Sequence, residues 1–179
     1  MPTMQITGEQ LMNEESKILM SYTGLFPANQ SRRFKMAEVE FHNTHEILLN
    51  HNYSNIIFKG GIRKADNFLS ASTVILDFDG THELDEMKKV FSKIKNVCIV
   101  TSKSHQKSFK ANFDGSLSDK AIVPADYFHV IIKLPTPITD LKMYKKVMTN
   151  LINKYGSDPS CKDGGRFYYS HPNQTCWYS

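Results

Sequence analysis

The run Val74-Ile75-Leu76-Asp77-Phe78-Asp79 constrains this chain more than any other segment. Its apolar, partly β-branched residues ask for an extended strand inside a core. Alternation on a strand sends Val74, Leu76 and Phe78 to one face and Ile75, Asp77 and Asp79 to the other. Two carboxylates then leave one face at the strand's end, several ångströms apart. Unpaired, they repel, and one is driven to keep a proton. A hard divalent cation removes the conflict, because it takes carboxylate oxygens together with the oxygens of a substrate phosphate. Asp77 and Asp79 are therefore a candidate divalent-metal site for phosphate chemistry.

The surroundings fit such a role without fixing it. A chain of 179 residues, 40% hydrophobic and 22% charged, has the size and composition of one ordinary globular domain, with or without a small subdomain. It contains no apolar run of membrane-spanning length, and its first residues lack the basic-then-apolar order of a signal peptide. A cytoplasmic address with no membrane partner is expected. The net charge of +4 is compatible with a polyanionic partner. Lys103, Lys107 and Lys110 form one basic cluster, and Arg32, Arg33 and Lys35 another. Of the three cysteines, Cys98 lies in an apolar run and reads as a buried thiol. Cys161, His171 and Cys176 have no standard zinc spacing, and unrelated residues are the simpler account.

Periodicity predicts helices over 8–20, 38–51, 84–94 and 140–155, the last with Thr139 as N-cap and Gly156 as its stop. Strands are predicted at 56–59, 74–79, 97–101, 127–133 (ending before Pro135) and 166–169. The stretch 106–124 is polar and rich in Gly, Ser and Asp, and is expected to be a long loop. The order is β-α-β, loop, β-α-β, with some seventy residues in front.

Two further segments carry candidate chemistry. Thr101-Ser102-Lys103-Ser104-His105 follows a strand with small hydroxyls, a lysine and a histidine, a set suited to phosphate. After the long helix, Asp158 or Asp163 offers a third carboxylate, and Arg166 offers a bidentate grip on phosphate.

Together these segments resemble the archaeo-eukaryotic primase superfamily, the primase-polymerases of plasmids, viruses and mobile elements. In that family a strand ends in hydrophobic-Asp-hydrophobic-Asp, a small-x-His motif follows the next strand, and a late Asp precedes an Arg-aromatic strand. Asp77-Phe78-Asp79 matches the first motif. Lys103-Ser104-His105 matches the second except that Lys103 replaces the small residue. Asp158, eight residues before Arg166-Phe167-Tyr168-Tyr169, matches the third better by spacing than Asp163 does. His129 stands where relatives often carry a basic residue.

The resemblance spans roughly residues 56–170. It implies an α+β fold: a recognition-motif-like antiparallel-sheet palm (56–179) with an N-terminal α/β subdomain (1–55), as one compact unit. It implies a DNA primase-polymerase, a nucleotidyltransferase that makes primers on a single-stranded template from nucleoside triphosphates. Asp77, Asp79 and Asp158 would hold two Mg2+ or Mn2+ ions. Ser104, His105, Lys107, His129 and Arg166 would contact the nucleotide. The address would be the host cytoplasm for a viral or plasmid-borne chain, with a helicase as a neighbouring domain of a longer parent.

Two other readings stay open at this point. Asp77-Phe78-Asp79-Gly80-Thr81 also looks like the nucleophile motif of haloacid-dehalogenase-like phosphatases, with Cys98–Ser102 as their hydroxyl motif. Asp77 would then attack phosphorus and Asp79 would serve as acid and base, with one Mg2+. Against it, the motif arrives after seventy-odd residues, and no paired-aspartate motif follows. The remaining reading is an inactive nucleic-acid-binding module.

Overall fold

The computed structural model describes residues 16–24, 32–112, 116–171 and 173–179. Strands β1 (Lys17–Thr23), β2 (Lys35–Glu40) and β3 (Asn52–Ser54) form an antiparallel sheet in the order β2-β1-β3, and the short helix α1 (His45–Asn50) lies between β2 and β3 in sequence. Next come β4 (Ile56–Phe58), the long β5 (Phe68–Asp79), α2 (Leu84–Phe91) and β6 (Val97–Thr101). A two-stranded ribbon, β7 (Phe109–Ala111) and β8 (Leu117–Ala121), precedes β9 (Tyr127–Ile138), α3 (Leu141–Tyr155) and β10 (Cys176–Tyr178).

The main sheet has the order β10-β6-β9-β5-β4, and every neighbouring pair is antiparallel. β5 and β6 thus run the same way with β9 between them, so β5-α2-β6 is a split β-α-β unit. The fold is α+β, a recognition-motif-like antiparallel sheet preceded by a smaller α/β portion.

Alternation along β5 divides the core. Val74, Leu76 and Phe78 join Phe128 and Val130 under α2 (Met87, Phe91) and α3 (Tyr144, Met148, Ile152). Ile75, Cys98, Val100 and Ile131 face the other way, against Ile18, Met20, Phe41, Leu48 and Tyr53 of the N-terminal portion. A strand covered on both faces has to be apolar on both, which is why residues 71–78 are buried without a break. Phe78 is fully buried and stacks on Phe128 with ring centroids 4.9 Å apart. Truncating such a side chain to Ala costs about 3–5 kcal/mol.

Several expectations are corrected. Of the helix predicted over 8–20, residues 8–15 lie outside the described residues, and 17–20 belong to β1. The helix predicted over 38–51 is β2, a 3-10 turn at Phe41–Asn43 and only then α1. The N-cap of α3 is Asp140, whose carboxylate accepts from the Met143 amide at 2.7 Å; Gly156 does close the helix, with φ of 71°. β9 continues past Pro135 because β6 pairs only as far as Ile132, so the strand's far end has an open edge that tolerates a missing N–H. Within 106–124, the β7-β8 hairpin replaces the expected loop. Residues 166–169 form no ladder strand; Tyr168 makes an isolated bridge to Tyr53.

Candidate metal centre and its cleft

β5 delivers Asp77 and Asp79 to the same face, at the end where Gly80 turns the chain away. Gly80 has φ of 74°, and its amide reaches the Asp126 carbonyl at 3.0 Å. Asp158 arrives from the far end of the chain through its own backbone, since its amide donates to the Asp77 carbonyl at 2.8 Å. Its carboxylate caps the 3-10 turn Pro159–Lys162, accepting from the Ser160 amide at 2.8 Å and the Ser160 hydroxyl at 2.5 Å. One ligand oxygen from each of Asp77, Asp79 and Asp158 lies within 4.8 Å of the others. Among the described residues no other group of three or more His, Cys, Asp or Glu side chains gathers in this way. Cys161, His171 and Cys176 do not: Cys161 is buried in the core under α3, and Cys176 packs on the opposite face of the sheet.

Arg166 lies between two of the carboxylates. Its Nη2 donates to Asp77 Oδ2 at 2.9 Å and to Asp158 Oδ2 at 3.4 Å. On the other side of Asp77, His129 Nε2 sits 3.4 Å from Oδ1, and His129 Nδ1 is 2.6 Å from the Tyr53 hydroxyl. Burial, helped by the Arg166 charge, pushes the His129 imidazole down to about 3, so the ring is neutral. Burial keeps the Tyr53 phenol protonated well above its ordinary range. A neutral ring that accepts from Tyr53 at Nδ1 has its proton at Nε2, the nitrogen 3.4 Å from Asp77 Oδ1. Both nitrogens of His129 therefore face protein partners.

The carboxylates are poised for a cation. Burial pushes Asp77 up to about 6 against the pull of Arg166, with Asp158 adding to the rise. Asp79 is raised by burial and then by Asp77. Burial also works against the Asp158 charge, but the Ser160 hydroxyl and amide and Arg166 outweigh it and hold this carboxyl below the usual range. Three close acids, two of them raised, are an electrostatic conflict that an oxygen-seeking divalent ion resolves, and the donor set fits one.

The site opens into a cleft of about 970 Å³ lined by Asp77 and Asp79 on one side and by Arg63, Lys103, Lys110 and Lys120 elsewhere. Ser104 and Arg166 also line it. His105 and Lys107 are not among the lining residues. His105 Nδ1 accepts from the Tyr127 amide at 3.3 Å and stands 3.6 Å from Asp126. Asp163 reaches the cleft wall, where its carboxylate accepts from the Gly165 amide at 3.0 Å and shapes the turn before Arg166. Arg63, Lys120, Tyr127 and Tyr169 are lining residues that sequence reasoning did not single out. The signal for Lys120 lay in Asp114-Gly115, a hairpin dipeptide between two short alternating runs.

The phosphatase geometry is disfavoured by the same contacts. Asp77 is 6% exposed, one oxygen engages Arg166 and the other faces His129, which leaves a poor nucleophile for attack on phosphorus.

No protein-family model matches the chain, and no curated protein matches it. Among solved structures it is similar to the AEP domain of the cyanophage S-2L primase-polymerase, with a TM-score of 0.47 and 8% identity, over 91% of this chain and 80% of that one. No helix among the described residues is long and apolar enough to cross a membrane.

Proposed function

We propose that this chain is a divalent-metal-dependent nucleotidyltransferase of the primase-polymerase kind, acting on nucleoside triphosphates with a single-stranded template. The observation that carries the reading is the convergence of Asp77, Asp79 and Asp158 within 4.8 Å, with Asp77 and Asp79 lining a cleft that also carries Arg63, Lys103, Lys110 and Lys120. The order of motifs along the sequence supports it independently.

Asp77, Asp79 and Asp158 would hold two Mg2+ or Mn2+ ions, which when bound lower the cost of forming the attacking 3′-oxyanion and neutralise charge on the triphosphate. The protein's own residues prepare that site. His129, locked by Tyr53, fixes the orientation of one Asp77 oxygen. Arg166 balances the charge of Asp77 and Asp158, and its fork suits a phosphate as well as a carboxylate. Ser104 and Lys103 line the same cleft, where a triphosphate tail can be gripped. Positioning and charge neutralisation supply the catalysis, and no covalent protein intermediate is required. A helicase domain in a longer parent chain and a host-cytoplasmic setting belong to the same reading.

The test is incorporation of labelled nucleotides by the purified protein on single-stranded DNA, with and without a primer, in Mg2+ or Mn2+. Template-dependent product that disappears in Asp77→Ala is the expected result. Absence of product under every metal, nucleotide and primer combination, in protein that is folded, overturns it. Release of phosphate from simple esters instead would restore the phosphatase.

A further inference from the structure

Arg166 stands between Asp77 and Asp158, yet no ladder strand fixes its place. The chain reaches it through a turn. The Arg166 amide donates to the Asp163 carbonyl at 3.0 Å, and the Asp163 carboxylate accepts from the Gly165 amide at 3.0 Å. A long side chain on such a turn holds two carboxylates only if its own backbone is held.

Two residues from distant parts of the chain hold it. Ser54, on β3, donates its hydroxyl to the Arg166 carbonyl at 2.7 Å. Arg63 acts on both neighbours of Arg166. Its Nη1 donates to the Gly165 carbonyl at 3.1 Å, and its guanidinium carbon lies 4.5 Å from the centroid of the Phe167 ring. Phe167 is itself braced edge-on by Phe34, with centroids 5.9 Å apart, so the ring is a fixed platform. The Arg63 backbone is anchored in turn, since its amide donates to the Arg32 carbonyl at 2.8 Å. Gly165 permits the close approach of the two segments: a Cβ there would stand 3.3 Å from the Ala65 amide nitrogen.

Arg63 also lines the cleft, where a direct grip on substrate would be the plainest use for it. Its flat face and its fork, however, are engaged by Phe167 and Gly165. We infer that Arg63 is a positioning residue: by holding Gly165 and Phe167 it fixes the Arg166 guanidinium between Asp77 and Asp158, and nucleotide addition depends on Arg63 only through Arg166. The inference rests on the nucleotidyltransferase reading for what Arg166 does to substrate; the clamp itself needs neither metal nor nucleotide.

The first measurement therefore needs no activity. In protein carrying 15N-arginine, in EDTA, a guanidinium held by two carboxylates turns slowly and shows separate Nη signals, and those that Arg166→Lys removes belong to Arg166. Arg63→Met keeps the apolar stem and loses the fork. It is expected to merge the Arg166 signals. Arg63→Lys keeps the charge but cannot lie flat on Phe167 while reaching the carbonyl, and it carries the test if Arg63→Met melts below the assay temperature. Arg166 signals that stay separate in the folded variant overturn the inference.

The second measurement is a double-mutant cycle on extension of a primed template in Mn2+. Arg63→Met is expected to slow addition roughly 10–100-fold, the scale of a small misplacement in a reacting site. In an Arg166→Lys background the same change should cost less than about twofold, because a residue that acts through another has no effect once that other is replaced. Equal losses in both backgrounds would place Arg63 on the substrate and overturn the inference. Absence of addition by the parent protein would defeat the proposed activity instead, and the Nη signals would still decide the role of Arg63.

Discussion

Arg166 Nη2 reaches Asp77 at 2.9 Å and Asp158 at 3.4 Å, so a single guanidinium nitrogen spans two carboxylates that are 81 positions apart in sequence (158 − 77). In the metal-free protein this is the main positive charge holding the acids together. Arg166→Ala is expected to destabilise the protein at pH 7.5 in EDTA by about 1–3 kcal/mol, because charged groups lose a partner in a partly buried place. Mn2+ should restore much of the loss by taking over the same oxygens. A variant that melts like the parent in EDTA would show that the bridge carries no net stability.

The raised Asp77 carboxyl sets a pH dependence whose sign is fixed. Its folded value of about 6 lies above the ordinary 3.8, so between those values the native state binds more protons than the unfolded state. In EDTA its contribution therefore favours the folded state below about pH 4 and is lost as pH rises through 6. Asp77→Asn should melt higher than the parent at pH 7.5 without metal, by an amount on the order of 1–3 kcal/mol, and the gap should close by pH 4. A lower melting temperature for Asp77→Asn at pH 7.5 in EDTA would contradict this.

Metal binding follows from the same carboxyl with the opposite trend. Protons compete with the ion, so Mn2+ affinity is expected to rise with pH up to about 6 and then level off. Isothermal titration from pH 5 to 8 reads this directly, and an affinity flat across that range counts against Asp77 as a ligand.

Asp158 and Asp163 are separable by activity. Asp158→Asn removes a charge from the three-acid group and is expected to lower nucleotide addition at least a hundredfold, with Mn2+ rescuing more than Mg2+. Asp163→Asn keeps an oxygen for the Gly165 amide and should cost less than tenfold. The reverse order of effects would move the third ligand to Asp163; full activity in both would end the three-carboxylate reading.

His105 offers a direct contrast between placement and motif. Its ring accepts from the Tyr127 amide beside Asp126 and does not line the cleft. His105→Ala should cost about 1 kcal/mol of stability through that hydrogen bond and change triphosphate affinity less than threefold. A tenfold loss of affinity in a direct titration would put the imidazole on phosphate.

What could be read from the sequence follows from how many surfaces each element buries. β6 was legible to the residue because all five of its positions are buried, and α3 because its stripe and Gly156 agree. β1 was not: its buried positions, Ile18, Met20 and Ser21, are too few to separate period 2 from period 3.6. The Asp77-Phe78-Asp79 pattern was visible because strand geometry is local. The rest of the cleft wall was not, because Arg63, Lys120 and Tyr169 join Lys103 and Lys110 only through the fold. The neutral state of His129 was equally out of reach, since it depends on burial and on Tyr53, which lies 76 positions away.

Tyr53 lies within the first 55 residues, yet its hydroxyl ends the chain of contacts that runs through His129 to Asp77. Trimming the protein to residues 56–179 would remove that hydroxyl, orphan a buried ring nitrogen and bare the face made by Ile75, Cys98, Val100 and Ile131. The leading segment thus holds the ring beside Asp77 in place, and a fragment that keeps this contact has to include Tyr53.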